Sequence, residues 1–249
     1  MRKFTKQDYF KTFKNQSYVE QLQKVERKFE TFRNETNNTT EITIYGIIGD
    51  SWWEDSISAS DIDNALKNIN GDIVINLNSP GGDAFDGIAI YNRLKKHDGK
   101  VTINVDGWAC SAASVIAMAA DDLVMGLGTM VMIHEASSLV WGTKTEMRKE
   151  ADVLDELEEG IIDIYMTKAN ISREEIRSMV DAETWLGAQK AVDIGFATST
   201  ATAVSNNKDN EITQLKAQLT TMQSELQQLK NKSQKEEPKP AAMGSRFFF

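Results

Sequence analysis

The sequence predicts an α/β domain with a largely parallel β-sheet covered by helices, and polar extensions on both sides of that domain. Strand-like and helix-like stretches alternate between residues 41 and 200. The stretches EITIYGIIG, GDIVINLN and KVTINVDG are rich in β-branched apolar residues, as strands buried on both faces are. Repeated β-α-β order of such strands favours parallel pairing with right-handed crossovers.

The stretches between and after these strands supply the helices of the predicted domain. SASDIDNALKNI begins with an N-cap serine, SPGGDAFDGIAIYNRLKKH predicts a turn and then a helix, and SAASVIAMAA predicts a third helix. DLVMGLGTMVMIHEA predicts short strands, and KTEMRKEADVLDELEEGIIDIYMTKAN predicts a long helix. Ser172 and Glu175 have the spacing of a capping box, and LGAQKAVDIGFA predicts a short helix that ends at Gly195.

The two extensions are polar and carry helical patterns of their own. Residues 1–40 predict a helical N-terminal arm, because apolar residues recur there at helical spacing before the linker NETNNTT. Those residues are Tyr18, Leu22, Val25, Phe29 and Phe32. Residues 205–235 predict a coiled-coil-like segment that favours self-association, with a lone amphipathic helix as the alternative. Its seam consists of Ile212, Leu215, Leu219, Met222, Leu226 and Leu229. Residues 236–249 predict a disordered tail.

Composition excludes several classes of function. The net charge is −9, with 37 acidic against 28 basic residues, which argues against a nucleic-acid partner because phosphate contacts need a basic surface. No apolar run reaches the roughly 18–20 residues that cross a membrane, and the N-terminus has no secretory apolar region. One cysteine and two histidines provide neither an internal disulfide nor a zinc cluster, and no Walker loop is present. We therefore expect no membrane association, no metal and no cofactor, and a reducing cytoplasm fits the cysteine count.

A serine lies where a predicted strand meets a predicted helix, in GWACSAAS. Ser111 would occupy the first helical turn, beside free backbone N–H groups and the positive end of the helix dipole. The N–H of Ala112 is then a candidate oxyanion donor, and small neighbours leave room for a peptide carbonyl. The alternatives are a plain N-cap serine, Ser114 as the nucleophile one turn deeper, and Cys110 as a thiolate.

His134 is the best candidate for a general base. A serine nucleophile needs an imidazole to take its proton, and the chain has only two histidines. His97 lies in the polar turn KKHDGK, whereas His134 ends the apolar stretch MVMIH. Asp181 and Glu183 are both candidates to orient the imidazole, and spacing alone does not choose between them.

The stretch NSPGG, from Asn78 to Gly82, follows a predicted strand and precedes a predicted helix. Paired glycines permit positive φ and close approach of the backbone. The stretch therefore predicts either a tight strand-to-helix turn or a turn whose glycine N–H points at a developing oxyanion.

These stretches together resemble a known family. INLNSPGG, GWACSAAS, MIHEA and ETWLGAQKAVDIGFA, in this order over about residues 42–198, resemble the Clp protease proteolytic subunit, and more narrowly its phage head-maturation (prohead) type. In that family the nucleophile lies in G-x-A-x-S and the base in MIH. The resemblance thus implies Ser111 as nucleophile, His134 as base, and the backbone amides of Gly82 and Ala112 as the oxyanion hole.

The third catalytic member departs from the housekeeping pattern. Housekeeping subunits have an aspartate just before an FLSA segment, where this chain aligns Glu183 two residues before Trp185. Phage-type members also contain ETW, so the resemblance favours Glu183 and leaves Asp181 as the alternative.

The resemblance also implies a fold and a biological setting. The fold is the Clp protease and crotonase-like spiral of ββα units, and the activity is serine endopeptidase cleavage through an acyl-enzyme, with no cofactor. The implied partners are scaffold or capsid proteins inside a procapsid in the host cytoplasm, other copies of the chain in a ring, and an ATPase unfoldase as in housekeeping relatives. The rival functions are an acyl-CoA hydratase or isomerase on the same fold and a decayed structural procapsid component. The Ser–His pairing argues against both.

Overall fold

The computed structural model describes residues 6–36, 38–49 and 56–201, together with Leu219, Met222 and Gln223. The chain divides into two compact units, Met1–Thr202 and Ala203–Phe249. Among the described residues, no helix has the length and hydropathy needed to pass through a lipid bilayer.

Ten strands and eight helices make up the described part of the chain. The strands are β1 (Lys28–Asn34), β2 (Thr39–Tyr45), β3 (Ile47–Ile48), β4 (Ser56–Ile57), β5 (Asp72–Ser79), β6 (Val101–Cys110), β7 (Asp122–Met125), β8 (Met130–Ile133), β9 (Thr184–Gly187) and β10 (Ser199–Thr200). The helices are α1 (Lys6–Phe10), α2 (Val19–Leu22), α3 (Ala59–Ala65), α4 (Ala84–Lys95), α5 (Ala112–Ala117), α6 (Lys144–Met166), α7 (Arg173–Asp181) and α8 (Ala188–Asp193).

The main sheet is largely parallel, as the strand patterns predicted. Its strands follow the order β1-β2-β5-β6-β7-β10, with β8 also paired to β6, and β9 paired to β8. Only β1–β2 and β8–β9 are antiparallel in this sheet. The long strand β6 is shared between two neighbours. Its residues 102–105 pair with β7, and its residues 108–110 pair with β8.

Aliphatic side chains of the central strands form the main hydrophobic core. Ile42, Ile75 and Ile103, on three neighbouring strands, are completely buried in one cluster that also contains side chains of α4 and α5. The helices begin where their caps predict. The Ser172 side chain accepts a hydrogen bond from the Glu175 N–H, and the Glu175 side chain accepts one from the Ser172 N–H. This reciprocal pair confirms the predicted capping box.

The single helix predicted across Tyr18–Phe32 is wrong beyond Leu22. Only Val19–Leu22 is helical in this stretch, and Lys28–Asn34 form β1 at the edge of the sheet. All β1 residues except the half-buried Phe29 are exposed. Because the strand has no buried face, its sequence lacks the alternation of apolar and polar residues that indicates a strand. Its antiparallel backbone pairing with β2 decides the conformation instead.

The predicted coiled-coil-like segment and the disordered tail lie outside the described residues. Leu219, Met222 and Gln223 are the exceptions, and they are helical and exposed. The segment and the tail stay predictions.

Helices α4 and α5 touch through a glycine. A Cβ added to Gly87 of α4 would lie 2.9 Å from the Cβ of Ala112 and 3.0 Å from its carbonyl oxygen. A Cβ added to Gly160, on the exposed side of α6, would meet nothing within 4 Å. Alanine substitutions at these two positions therefore distinguish the effect of close helix packing, at Gly87, from the effect of helix propensity alone, at Gly160.

We expect Gly87→Ala to lower the free energy of unfolding by about 1–3 kcal/mol, because overpacking against α5 outweighs the better helix propensity of alanine. The matched change Gly160→Ala should raise it by about 0.5–1 kcal/mol. Denaturant unfolding of the two variants measures both effects. Equal stabilisation by both substitutions would contradict close packing at Gly87.

Candidate active site

Ser111 lies between β6 and α5 in a conformation that is rare for a residue with a side chain. Its φ is 53° and its ψ is −124°, on the positive-φ side that favours glycine. The Ser111 N–H donates to the carbonyl oxygen of Met132 at 2.9 Å, which continues the β6–β8 pairing. The bend is a sharp strand-to-helix turn of the kind that presents the nucleophilic serine in α/β-hydrolases.

His134 follows directly after β8, the strand paired with the last residues of β6. Cys110 and Met132 are partners in this parallel register, so the residues that follow them emerge at the same edge of the sheet. There His134 Nε2 lies 2.9 Å from Ser111 Oγ, within hydrogen-bond distance. The structure thus brings together two residues that are 23 positions apart in the chain.

The alternative nucleophiles are positioned differently. Ser114 is fully buried, and its hydroxyl donates to the Ser111 carbonyl oxygen at 2.6 Å and lies 2.8 Å from the Tyr165 hydroxyl. Cys110 is also fully buried, and burial raises the pKa of its thiol well above its ordinary value. His97 lies elsewhere, with its Nε2 at 2.7 Å from the Gly71 carbonyl oxygen. None of these three residues has the contacts of a nucleophile or its base.

The glycine turn after β5 packs directly against Ser111. A Cβ on Gly81 would lie 2.7 Å from the Ser111 Cβ and 3.0 Å from the Ala112 nitrogen, so this close approach requires glycine. Gly82 has φ of 149° and pairs with Ile48 in an isolated bridge. Among the described residues, no group accepts a hydrogen bond from the N–H of Gly82 or Ala112. Both donors are therefore available to a ligand.

The two candidate orienting carboxylates, Glu183 and Asp181, differ in their burial. Glu183 is 7% exposed and immediately precedes β9, whose Thr184 is paired with Ile133 beside His134. It also has a positive φ of 55°. Asp181 is exposed at the end of α7. The register of β8 and β9 thus brings Glu183, and not Asp181, next to the imidazole.

A sequence profile of the family described as Clp protease matches residues 24–204. The chain belongs to the Clp protease family. Its relatives include the ATP-dependent Clp protease proteolytic subunit 1 of Chlamydia abortus, which is 31% identical over 53% of this chain and 70% of the relative. The same subunit of Chlamydia trachomatis serovar D is 31% identical over the same shares of the two chains. A ClpP1 mutant from Listeria monocytogenes has a similar structure, with a TM-score of 0.57 and 26% identity over 64% of this chain and 90% of that chain. The predicted Clp protease fold is confirmed.

An N-terminal segment of this Clp protease covers the Ser–His pair. The Phe13 ring stacks on the His134 imidazole, with ring centroids 5.3 Å apart and planes inclined by 24°. The Tyr9 hydroxyl donates to the Pro80 carbonyl oxygen at 2.8 Å and is also hydrogen-bonded to the Ser111 side chain. No sequence pattern predicts these contacts, although the closely spaced aromatic residues in KQDYFKTFKNQ are an available signal.

The same segment binds the Glu183 carboxylate. Its oxygens accept hydrogen bonds from the backbone N–H groups of Lys14 and Asn15, the latter at 2.8 Å, and from Trp185 Nε1 at 3.2 Å. No hydrogen bond joins Glu183 to His134 within the described residues. The Glu183 charge still acts on the imidazole through space.

Burial under this segment lowers the pKa of His134 from 6.5 to about 4. Desolvation of the imidazolium is the largest cause, and the Lys14 ammonium adds to it. The carboxylates of Glu183 and Glu135 act in the opposite direction and raise the pKa. His134 is therefore neutral at pH 7, the form that can accept a proton. Across the described residues, no group of three or more His, Cys, Asp or Glu side chains is arranged to hold a metal ion.

We expect His134 to stay neutral at pH 5.5, where a solvated imidazole would be about nine-tenths protonated. The chain has only two histidines, so NMR of the imidazole carbon signals measures this directly, with His97→Gln for assignment. Because the folded pKa is depressed, the stability that His134 contributes is fully present above pH 6.5 and is lost as the pH falls towards 4. Titration of His134 near pH 6.5 in the folded chain would contradict its burial.

Proposed function

We propose that this Clp protease is a serine endopeptidase with Ser111 as the nucleophile and His134 as the general base. The observation that supports this most directly is the 2.9 Å separation of Ser111 Oγ and His134 Nε2 at the edge of the sheet. The positive φ of Ser111 adds support, because such strain concentrates at functional residues. An acyl-CoA hydratase or isomerase would need no such pair.

The proposed reaction follows from these positions. Neutral His134, with its proton on Nδ1, accepts the Ser111 proton as Oγ attacks the peptide carbonyl carbon. The carbonyl oxygen becomes an oxyanion, which the N–H groups of Gly82 and Ala112 stabilise, each contributing about 3–4 kcal/mol in comparable enzymes. The imidazolium then donates its proton to the leaving amine, and water hydrolyses the acyl-enzyme by the reverse sequence.

Glu183 is the proposed orienting carboxylate. It is buried, it precedes the strand paired with β8, and its charge raises the pKa of His134. In the active arrangement it accepts a hydrogen bond from Nδ1–H and stabilises the imidazolium that forms during catalysis.

The biological role we propose is phage prohead maturation, with scaffold or capsid proteins as substrates in the host cytoplasm. Its support is the resemblance of the ETW stretch to phage-type members of the family, together with polar extensions that would suit a protein packaged with a scaffold. The chain is proposed to assemble into a homo-oligomeric ring. By analogy with housekeeping relatives, an ATPase unfoldase is a further candidate partner. Exposed apolar side chains near the start of α6 support contacts between copies. They are Leu139, Trp141, Met147 and Val153.

Ser111→Ala should reduce peptide hydrolysis by at least about 10³-fold without unfolding the protein, because the nucleophile is lost while the backbone turn is retained. Hydrolysis of a fluorogenic peptide and labelling by a fluorophosphonate probe measure the loss. Processing of a co-expressed phage scaffold protein should stop in the same variant, which tests the prohead role. Ser114→Ala is the matched control and should still label at position 111. Undiminished hydrolysis by the Ser111 variant would refute the assignment.

Glu183→Gln should lower kcat by about 10²–10⁴-fold, because the amide stabilises the imidazolium less well than a carboxylate does. Asp181→Asn should change kcat by less than about threefold, since an exposed carboxylate interacts weakly with a distant charge. Steady-state kinetics of the two variants side by side decide between the residues. A larger loss in the Asp181 variant would transfer the role to Asp181.

A further inference from the structure

The segment of residues 9–22, the N-terminal cover, is packed onto the site and is separate from the main core. Its side chains form a second apolar cluster with the ends of the strands around Ser111. That cluster contains Tyr9, Phe10, Phe13, Val19 and Leu22 of the cover, packed with Ile47, Cys110 and Met132. The main core contains none of the cover residues. The cover also precedes residue 24, where the match to the Clp protease family begins. The cover therefore lies outside both the main core and the part of the chain that matches the family.

The cover contacts the two side chains that the proposed catalysis needs, Ser111 and His134. The Tyr9 hydroxyl gives its only proton to the Pro80 carbonyl, so in its contact with Ser111 it acts as an acceptor. It then competes with His134 for the single proton of the Ser111 hydroxyl. Phe13 covers one face of the imidazole, where it restricts the movement and solvation of the ring.

The cover also donates hydrogen bonds to Glu183, the carboxylate that we propose as the orienting group. The backbone N–H groups of Lys14 and Asn15 donate to the two oxygens of Glu183. The Lys14 side chain reinforces this contact through an ion pair with Glu135 at 2.8 Å and a hydrogen bond to the Asp181 carbonyl oxygen. While these bonds persist, two of the acceptor positions of Glu183 point at the cover and not at His134.

A short irregular link joins the cover to the edge strand β1. Residues 23–27 have no helix or strand structure, and only Val25 among them is not exposed. An open groove lined by Lys24, Arg27, Tyr45 and Asn78 lies beside this link, and Arg27 Nε, at the end of the link, donates to the Ser56 carbonyl oxygen at 3.1 Å. Immediately after the link, Lys28 pairs with Tyr45, and seven paired residues anchor β1. The link can therefore act as a hinge between the cover and the anchored strand.

We propose that the N-terminal cover is an internal inhibitor, which holds the Ser111–His134 site latent until it is displaced or removed. This inference rests on the serine endopeptidase function proposed above. Displacement frees the Ser111 hydroxyl, one face of His134 and two acceptor positions of Glu183 in a single movement. It also uncovers apolar surface at Ile47 and Met132, beside Trp108 and Trp185. A peptide substrate can then pack on this surface.

The test uses the full chain with a loosened cover. Tyr9→Ala combined with Phe13→Ala should raise the rate of fluorophosphonate labelling at Ser111, and kcat/KM for a fluorogenic peptide, by about tenfold or more, because a larger fraction of molecules has the site open. Phe32→Ala is the matched control, since it removes an aromatic side chain that is 67% exposed on β1, away from the cover. It should leave both rates unchanged. A merely structural role for the cover would make the double variant slower, not faster.

Two further measurements support the test if the double variant is poorly folded. Tyr9→Phe removes only the hydroxyl that contacts Pro80 and Ser111, and it should still raise the labelling rate about threefold by shifting the closed population. A synthetic peptide of residues 6–23, added to the double variant, should slow labelling again. The same peptide with Tyr9→Ala and Phe13→Ala should not.

The outcomes separate this inference from the proposed function. Equal labelling of the wild-type chain and both cover variants, at Ser111 and at appreciable rate, overturns the inhibitor role and leaves the peptidase intact. Absence of labelling and hydrolysis in every folded variant overturns the peptidase function, and the inhibitor role with it. Faster reaction in the cover variants, reversed by the peptide, supports both.

Discussion

The parallel pairing of β6 with β8 fixes the position of every group in the candidate site. The hydrogen bond from the Ser111 N–H to the Met132 carbonyl extends this pairing past the last residue of β6. Ser111 therefore cannot shift along the strand without breaking the backbone bonds that also position His134. Because β5 pairs with the other side of β6, and β9 with the other side of β8, Gly82 and Glu183 are brought to the same edge.

Backbone strain at this edge is sustained by the rigid sheet behind it. Ser111 and Glu183 both have positive φ, which costs about 1–3 kcal/mol at a residue with a side chain. Buried strands, the close packing of Gly81 on Ser111 and the contact between α4 and α5 over-determine these conformations. The N-terminal cover is held differently, by aromatic packing and by bonds to the site itself. In the proposed mechanism, its closed position and substrate binding use the same groups and exclude each other.

Hydrophobic periodicity and helix-capping residues correctly predict those helices and strands whose conformation depends on their own side chains. The buried strands around Ile75 and Ile103 and the capped helix after Ser172 lie where the sequence predicts them, since apolar burial and capping are local patterns. The edge strand β1 was mistaken for a helix because its stability comes from backbone pairing with β2, which leaves no side-chain pattern. The aromatic residues Tyr9 and Phe13 were overlooked because their partners, Pro80, Ser111 and His134, are distant in the chain.

The α/β class, the small-residue turn at Ser111 and the preference for His134 over His97 can all be predicted from the amino-acid sequence, because composition and local order carry that information. The three-dimensional fold is needed to show which carboxylate lies beside the imidazole, because the register of β8 with β9 places Glu183 at the buried edge and leaves Asp181 exposed. The fold alone also shows that the segment of residues 9–22 packs on the Ser–His pair. Contacts between such distant segments depend on how the sheet brings strand ends together, and no local pattern encodes that.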